Sequence, residues 1–554
     1  MTVAPPPSVA GLAERLVASL DGEQRAAATL PDGPALIIAP AGSGKTTTLI
    51  ARLGVLLARG VAPERIAVAT FNRDAALELT ARIRARVVPA MPSAERIEVR
   101  TIHALARQVL LETGAADNLV SDRLPLLRAV LRQAAARPGG EPDLAPLPGA
   151  AALDTQISAW KVERRQPADP ELVRAYQALL STRGALDFDD LVVGAADALE
   201  TDAALRRRWQ GRFSHICVDE FQDVDAAQLR LVRLLAEPER NLFVVGDDDQ
   251  TIYAWRLADV RRILTFESAY AGARRVQLAT NYRCPPAVVA ASRRLIGVNR
   301  ERFTKRIDAA PGEAFDPRAV RAFSTATAEW PQALAAMAAR EARADRTICF
   351  LARTRSELIP VLLALTRGGQ PHVTGVPAPV QAEPVRALVA EARPLAADAQ
   401  PFATLLRLRA GRGWRRADGA DTVSDDDHAA LDALLGWSVG FARLDRFLAA
   451  HDAAVARLES LRVTEGLVEL VTVHGAKGRE WHTVVVLGLE EERFPNRRAL
   501  VDAADPARAV EEERRLAYVA LTRATRQLVL AFDPARPSRF LADAGLRLPE
   551  PGRG

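Results

Sequence analysis

The sequence predicts an α/β fold built on parallel sheet, because three short apolar segments each end in polar residues. The first, PALIIAP, precedes the glycine-rich turn AGSGKT and a stretch with helical leucine spacing. The second, ICV, ends in Asp219 and Glu220, and the third, NLFVVG, leads through three aspartates to Gln250. Continuous apolar runs of this length are typical of strands buried on both faces. Ligands of such sheets bind at the carboxyl ends of the strands, so the polar ends predict a site.

The first polar end has the pattern of a phosphate-binding loop. Strand, glycine-rich turn and helix in this order surround a phosphate with backbone N–H groups and a helix N-terminus. Lys45 would reach the β- and γ-phosphates, and Thr46 would place its hydroxyl on Mg²⁺. Lys45 is one of only four lysines among 74 basic residues, and the planar fork of arginine does not replace a compact ammonium here. We expect ATP and Mg²⁺ as cofactors, bound by Ala41, Gly42, Ser43, Gly44, Lys45, Thr46 and Thr47.

The other two polar ends supply the rest of an ATPase site. Asp219 is placed to hold Mg²⁺, and Glu220 to orient or deprotonate the attacking water. Gln250 is placed to contact both the γ-phosphate and that water. Tyr253 and Trp255 follow it in the sequence, and two interpretations stay open for them: core residues, or a platform on which bases stack.

Together these motifs resemble those of superfamily 1 helicases of the UvrD/Rep/PcrA type, in order, over residues 20–395 and 466–541. The resemblance implies two RecA-like P-loop motor domains, each a parallel sheet flanked by helices, with helical insertions. The segments that carry it are LDGEQRAA, APAGSGKT, IAVATFNRDAALELTARI, VRTIHAL, VDEFQD, VVGDDDQTIYAWR, LATNYRCP, VTVHGAKGREW and EEERRLAYVALTRAT.

The resemblance also implies roles for single residues. Gln24 would read the adenine edge, Tyr282 would stack on the base and Glu480 would contact the ribose. Arg283 and Arg523 would be two arginine fingers that stabilise charge on the transferred phosphoryl group. The residues facing DNA would be Phe71, Asn72, His103, Tyr253, Trp255 and Arg256.

Each of these residues, taken alone, has a structural alternative. Arg283 could lie on the surface, Glu480 could cap a turn, and Phe71 and His103 could belong to the core. Thr47 stands where the family usually has an arginine beside the adenine, so we expect relaxed base specificity.

The domain boundaries follow from the motif order and from composition. The first RecA-like domain is predicted at residues 1–104 and 190–279, and a helical insertion at 105–189. The second RecA-like domain is predicted at residues 280–395 and 466–545, with the strands RTICFLART, VELVTVH and HTVVVLGL. A reduced second insertion occupies 396–465, and a tail 546–554.

Composition places the chain among ordinary globular proteins, with 49% hydrophobic and 26% charged residues and a net charge of +5. No apolar run reaches membrane-spanning length and the start has no signal-peptide pattern, so we expect a cytoplasmic protein without a membrane partner. The resemblance implies an ATP-dependent DNA helicase or translocase that moves 3′ to 5′ on single-stranded DNA and unwinds duplex at single/double-strand junctions. It would act in DNA repair or recombination, with repair proteins as candidate partners.

Two alternatives to this function stay open. One is a DNA-stimulated translocase that remodels protein–DNA complexes with little unwinding. The other is a non-catalytic subunit of a repair complex, which the intact set Lys45, Asp219, Glu220, Gln250, Arg283 and Arg523 disfavours.

Overall fold

The computed structural model describes residues 9–114, 118–135, 147–376, 378–414 and 425–546. Most of the predicted tail lies outside these residues. The chain divides into unit 1, Met1–Tyr282 with Arg300–Ala310, and unit 2, Arg283–Asn299 with Pro311–Gly554. The boundary predicted between residues 279 and 280 differs from this division, because residues 280–282 and Arg300–Ala310 pack with unit 1.

Unit 1 contains a six-stranded parallel sheet in the order β3-β2-β4-β5-β1-β6. A short parallel pair, β7 with β8, lies outside this sheet. The strands of unit 1 are β1 Ala35–Ile38, β2 Ile66–Thr70, β3 Glu98–Thr101, β4 His215–Val218, β5 Leu242–Gly246, β6 Arg274–Gln277, β7 Thr280–Asn281 and β8 Asp308–Ala309.

The four inner strands of the unit 1 sheet, β2, β4, β5 and β1, are buried on both faces, as their apolar sequences predict. Along β1, Leu36 and Ile38 belong to one hydrophobic cluster, whereas Ala35 and Ile37 belong to another. The alternation follows the two-residue period of a strand. The helices of unit 1 are α1 Val9–Ala18, α2 Gly22–Ala28, α3 Lys45–Ala58, α4 Arg73–Arg86, α5 Ile102–Glu112, α6 Leu124–Ala135, α7 Ala150–Glu163, α8 Pro170–Thr182, α9 Phe188–Thr201, α10 Ala203–Arg212, α11 Ala226–Ala236, α12 Arg261–Leu264 and α13 Phe266–Ala269.

The region predicted as the first insertion holds the helices α6, α7 and α8, with most of α5. Leu126 on α6, Leu153 on α7 and Tyr176 on α8 belong to a small core of their own. A buried charge network also ties this region to the start of α9. Lys161 Nζ lies 2.7 Å from Asp187 Oδ2 and 2.8 Å from Asp190 Oδ1.

Unit 2 contains a second six-stranded parallel sheet, in the order β11-β12-β10-β13-β14-β9. Its three segments predicted as strands form β10, β12 and β13. The strands of unit 2 are β9 Val320–Ser324, β10 Ile348–Ala352, β11 Val373–Thr374, β12 Val468–Thr472, β13 Trp481–Val486 and β14 Ala524–Phe532.

Helices cover the unit 2 sheet and also fill the predicted second insertion, where α18, α19 and α20 contribute Leu405, Leu431 and Phe447 to one hydrophobic cluster. The helices of unit 2 are α14 Pro286–Ile296, α15 Trp330–Glu341, α16 Ile359–Arg367, α17 Glu383–Ala392, α18 Pro401–Gly411, α19 Asp425–Ser438, α20 Leu444–Leu461, α21 Arg497–Val501, α22 Pro506–Leu521 and α23 Arg539–Asp543.

The two parallel sheets flanked by helices confirm the predicted α/β fold class. Within the described ranges, no helix has the length and apolar character needed to span a membrane.

Candidate functional site

The loop between β1 and α3 follows a path that glycine makes possible. Gly42 and Gly44 have φ of 72° and 80°, in the left-handed region that L side chains rarely adopt. A Cβ on Gly44 would also lie 2.5 Å from Gln24 Nε2. Gly44 is the N-cap of α3 and provides no side-chain cap. The first-turn N–H groups of α3 therefore form the anion-binding end of a helix.

Gln24 supports this loop from α2. Its Nε2 donates to the carbonyl of Ser43 at 2.9 Å, and its Oε1 accepts from the backbone N–H of Asp21 at 3.3 Å. Asp21 in turn caps α2 by accepting from the N–H of Gln24 at 2.8 Å, which completes a capping box. Both ends of the Gln24 amide thus bind the protein, and adenine recognition by this residue stays a prediction.

Tyr282 lies against the same loop. Its backbone N–H donates to the carbonyl of Gly42 at 2.9 Å, and its hydroxyl donates to Asp21 Oδ2 at 2.6 Å. These two bonds fix the ring beside the loop, yet the residue is 50% exposed. A fixed and exposed aromatic ring is suited to stacking on a base.

Lys45, the first residue of α3, forms an ion pair with Glu220, with Nζ 3.2 Å from Oε1. The second carboxylate oxygen of Glu220 accepts from Gln222 Nε2 at 2.5 Å. The Oε1 of Gln222 accepts from the backbone N–H of Asp247 at 3.0 Å, and Asp247 Oδ2 accepts from Gln250 Nε2 at 2.7 Å. One chain of bonds therefore joins Lys45 to Gln250 across the ends of β4 and β5.

Asp219 follows β4 directly and is held by its backbone, because its N–H donates to the carbonyl of Ala69 at 3.0 Å. Its Oδ1 accepts from the N–H of Glu220 at 3.0 Å. Glu220 has φ of 53°, in the left-handed region, and strained backbone of this kind clusters at functional sites. The turn presents two adjacent carboxylates at the carboxyl end of the sheet.

The loop residues fit a bound phosphate. Ser43 is buried, and among the described residues its hydroxyl oxygen has no hydrogen-bond partner. A buried hydroxyl in that state is costly unless a ligand or water binds it. Together with the α3 N-terminus and Lys45, it forms a polar concave surface of a kind that suits a phosphate group. Thr46 and Asp219 would hold Mg²⁺, since hydroxyl and carboxylate oxygens are ligands suited to this ion.

An aromatic row lies beyond Gln250. The rings of Phe71 and Tyr253 stack with centroids 4.8 Å apart, and those of Tyr253 and Trp255 lie 6.3 Å apart. The Arg256 guanidinium lies 4.7 Å from the Trp255 ring centroid. Trp255 is 58% exposed, so the interpretation of this residue as core is wrong. An exposed aromatic ring beside an arginine matches surfaces on which single-stranded bases stack.

Two further residues predicted to face DNA have structural contacts. Asn72 caps α4 by accepting from the N–H of Ala75 at 2.8 Å. His103 packs edge-on against Phe188, with centroids 5.6 Å apart. Burial lowers the pKa of His103, which favours the neutral imidazole. Both residues can still donate hydrogen bonds from the side chain, and their contact with DNA stays a prediction.

Unit 2 brings together Arg283, Glu480 and Arg523. Arg283 Nε donates to Glu480 Oε2 at 2.6 Å and Nη1 donates to the carbonyl of Thr522 at 3.4 Å. The Glu480 side chain is more than half exposed. Arg523 is 1% exposed, and its guanidinium donates to the carbonyls of Val519 at 3.0 Å and Arg479 at 3.4 Å. These bonds hold both arginines in defined orientations.

The structure therefore gathers the predicted nucleotide residues into two groups. Those of unit 1 are Gln24, Ala41, Gly42, Ser43, Gly44, Lys45, Thr46, Thr47, Asp219, Glu220, Gln250 and Tyr282. Those of unit 2 are Arg283, Glu480 and Arg523. Sequence reasoning missed Gln222, which links Glu220 to Asp247, although it lies inside the motif VDEFQD.

Comparison with known proteins identifies the family of this chain. The UvrD/REP helicase N-terminal domain matches residues 20–135 and 147–271, and the UvrD-like helicase C-terminal domain matches residues 441–533. The ATP-dependent DNA helicase UvrD2 of Mycobacterium tuberculosis is 31% identical over 95% of this chain and 81% of its own length.

Two other relatives match over a similar extent. The ATP-dependent DNA helicase PcrA of Leuconostoc citreum is 28% identical over 97% of this chain and 86% of its own length. A putative ATP-dependent DNA helicase, YjcD of Bacillus subtilis, is 27% identical over 94% of this chain and 80% of its own length. The resemblance read from the motifs is confirmed, and the chain belongs to the UvrD-like family of ATP-dependent DNA helicases.

Proposed function

We propose that this chain is a motor that moves 3′ to 5′ on single-stranded DNA and unwinds duplex at single/double-strand junctions. The observation that supports the proposal best is the connection between the phosphate loop and the aromatic row. Bonds run from Lys45 through Glu220, Gln222 and Asp247 to Gln250, and Gln250 lies five residues before Trp255. A change at either end can reach the other through short, bonded loops.

The proposed chemistry assigns a role to each group. The backbone of the phosphate loop and Lys45 bind the triphosphate, and Thr46 and Asp219 would hold Mg²⁺, which when bound would neutralise developing charge. Glu220 orients the water and accepts its proton, while Gln250 contacts the same water. Tyr282 stacks on the adenine and Glu480 contacts the ribose. Arg283 and Arg523 stabilise the charge that spreads over the phosphoryl oxygens.

The proposed DNA contacts come from unit 1. Bases stack on Tyr253 and Trp255, with Phe71 behind Tyr253, and Arg256 adds a cation near the same rings. Asn72 and His103 contribute hydrogen bonds. We propose the 3′ to 5′ direction by analogy with the family rather than from the geometry of the rings. The same analogy supports a cytoplasmic repair role with repair proteins as partners.

A second candidate function is translocation with little unwinding. The second insertion, residues 396–465, is short where the family commonly has a larger domain that regulates unwinding. Its three described helices form one small cluster with α17. A motor with a reduced insertion could strip proteins from DNA and still separate strands poorly.

Three parallel assays test these proposals. ATP hydrolysis is measured with no polymer, with single-stranded DNA, with duplex and with RNA, and we expect the largest stimulation by single-stranded DNA. Strand displacement is measured on duplexes with a 3′ or a 5′ tail, and we expect unwinding from the 3′ tail. Displacement of streptavidin from biotinylated single strands reports movement without unwinding.

The outcomes separate the candidates. Unwinding from a 5′ tail alone would contradict the proposed direction. Streptavidin displacement without strand separation would favour the translocase. A correctly folded chain with no ATP hydrolysis under any condition would contradict the motor and support a non-catalytic role.

A further inference from the structure

A buried charge cluster lies next to the loop that carries Gln250. Asp247, Asp248 and Asp249 follow β5, and all three are fully buried. Lys305 Nζ lies 2.6 Å from Asp247 Oδ1, 2.5 Å from Asp248 Oδ1 and 2.9 Å from Asp249 Oδ2. Arg302 donates to both oxygens of Asp249, at 2.9 and 2.7 Å. Both cations come from the segment Arg300–Ala310 of unit 1.

The cluster suits lysine rather than arginine. One ammonium has three donors that diverge from a single nitrogen, and here three carboxylates converge on that nitrogen. Burial alone would lower the pKa of Lys305, but the three carboxylates raise it, so the side chain stays charged. A flat guanidinium would place its donors in one plane, farther from the chain.

Asp247 is shared between this cluster and the proposed catalytic loop. Its Oδ1 contacts Lys305, while its Oδ2 accepts from Gln250 Nε2 at 2.7 Å. A carboxylate only accepts, so Asp247 binds the NH₂ end of the Gln250 amide and fixes which end faces away from it. The backbone N–H of the same Asp247 donates to Gln222, which donates to Glu220.

From this geometry we infer that Lys305 is a positioning residue for ATP hydrolysis, acting through Asp247 on Gln250 and, through Gln222, on Glu220. The inference rests on the proposed function, because it assumes that Gln250 and Glu220 act on the attacking water. Lys305 does not touch either residue; it holds Asp247, whose carboxylate accepts from Gln250 and whose backbone N–H donates to Gln222 beside Glu220. Its loss would misalign the water without removing a phosphate-binding group.

The test must separate positioning from folding, since removing Lys305 alone leaves three buried carboxylates with less compensation. Lys305→Met is therefore paired with the double variant Lys305→Met/Asp248→Asn, which restores the charge balance. Asp248 is chosen because it contacts Lys305 and the N–H of Phe303 but not Gln250. Burial raises the pKa of Asp248 to about 6. Its neutral form is therefore readily accessible, and we expect this position to tolerate the neutral asparagine.

Melting temperature, ATP affinity, single-stranded DNA affinity and DNA-stimulated kcat are measured for each variant. We expect the double variant to recover most of the melting temperature lost by Lys305→Met. Its kcat should remain lowered by about 10- to 100-fold, the range that loss of a supporting residue behind an active-site group typically costs. KM for ATP should change by less than about threefold, because the lost interaction acts on the transition state.

A matched control comes from Lys161, which is also buried and also paired with two carboxylates. Lys161→Met should lower the melting temperature and leave kcat below that temperature unchanged. Recovery of kcat together with melting temperature in the double variant would overturn the inference and make Lys305 a structural residue.

A variant that keeps the charge gives an independent test if neither Met variant folds. Lys305→Arg should fold and still lose kcat by about 10-fold or more, because its planar donors do not reproduce the three contacts. Wild-type kcat in Lys305→Arg would overturn the inference. A wild-type chain without DNA-stimulated hydrolysis would overturn the proposed function, and the inference with it.

Discussion

The Lys45 ammonium lies 3.2 Å from Glu220 Oε1, so the residue proposed to bind phosphate and the residue proposed to activate water share an ion pair. The two come from different elements, the N-terminus of α3 and the turn after β4. A substitution at Lys45 therefore removes a phosphate ligand and also the cation beside the proposed base. The same ion pair holds Glu220 in the chain of bonds that ends at Gln250.

Lys45→Ala should abolish ATP hydrolysis and leave the binding of single-stranded DNA without nucleotide unchanged. The reason is that Lys45 follows the phosphate loop in the sequence and pairs with Glu220, whereas the proposed DNA contacts come from other residues. Steady-state hydrolysis and fluorescence anisotropy with labelled DNA measure the two properties. Lys45→Arg serves as the matched control for charge and should also be inactive, because the planar fork does not fit the cradle. Hydrolysis at the wild-type rate in Lys45→Ala would refute the site.

Arg283→Ala should lower kcat far more than it raises KM for ATP, because a finger interacts most strongly with the transition state. Arg523→Ala should show the same loss of kcat. Arg523 is buried and bonded to carbonyls of its own unit, so this variant should also melt at a lower temperature. The kcat and the KM for ATP of each variant are compared with those of the wild type. The melting temperature of each variant is measured as well, so that both are assayed while folded. Weaker ATP binding with intact turnover in either variant would contradict its role as a finger.

Lys161→Met should destabilise unit 1 without affecting turnover. Burial alone would raise the pKa of Asp187, but Arg123 and Lys161 hold it at about 2, so the carboxylate is charged inside the protein. Removing one partner of a buried ion pair typically costs about 3–5 kcal/mol. Urea unfolding followed by circular dichroism measures this cost, and hydrolysis in the absence of urea measures turnover. Unfolding at the wild-type urea concentration would show that Arg123 alone compensates Asp187.

Much of the fold could be predicted from the sequence because parallel strands have a strong local signal. The segments around Ile37, Cys217 and Val244 are mainly apolar, and all are buried strands of one sheet. The phosphate loop could be predicted as well, since glycines at this spacing before a helix permit the left-handed backbone that such a loop requires.

Other features depend on contacts between distant segments, which no local pattern contains. Lys305 meets Asp247 across more than fifty residues of sequence, and no periodicity or motif predicts that pairing. The boundary between the units at Tyr282 could not be predicted from local patterns either. It depends on the segment Arg300–Ala310, which follows residues of unit 2 in the sequence but belongs to unit 1. Whether Trp255 is core or surface could not be read from the sequence either, since aromatic residues two apart fit both interpretations.

Trp255→Ala should weaken the binding of single-stranded DNA by roughly 5- to 150-fold, because stacking under one base is worth about 1–3 kcal/mol. Hydrolysis without DNA should change little, since Gln250 rather than Trp255 bonds to the catalytic network. DNA stimulation should fall, because both residues lie on one loop. Trp255 is 58% exposed, so the melting temperature should stay near that of the wild type.

A buried tryptophan of the same unit provides the control for this prediction. Trp209 is 1% exposed and belongs to the hydrophobic cluster to which α5 and α9 also contribute. Trp209→Ala should cost about 3–5 kcal/mol of stability, as large-to-small changes in a core do. Its DNA affinity, measured on the folded fraction, should remain that of the wild type. The same substitution should therefore lower DNA affinity at Trp255 and stability at Trp209. If Trp255→Ala instead melted early and bound DNA with wild-type affinity, the bases would have to stack elsewhere on the protein.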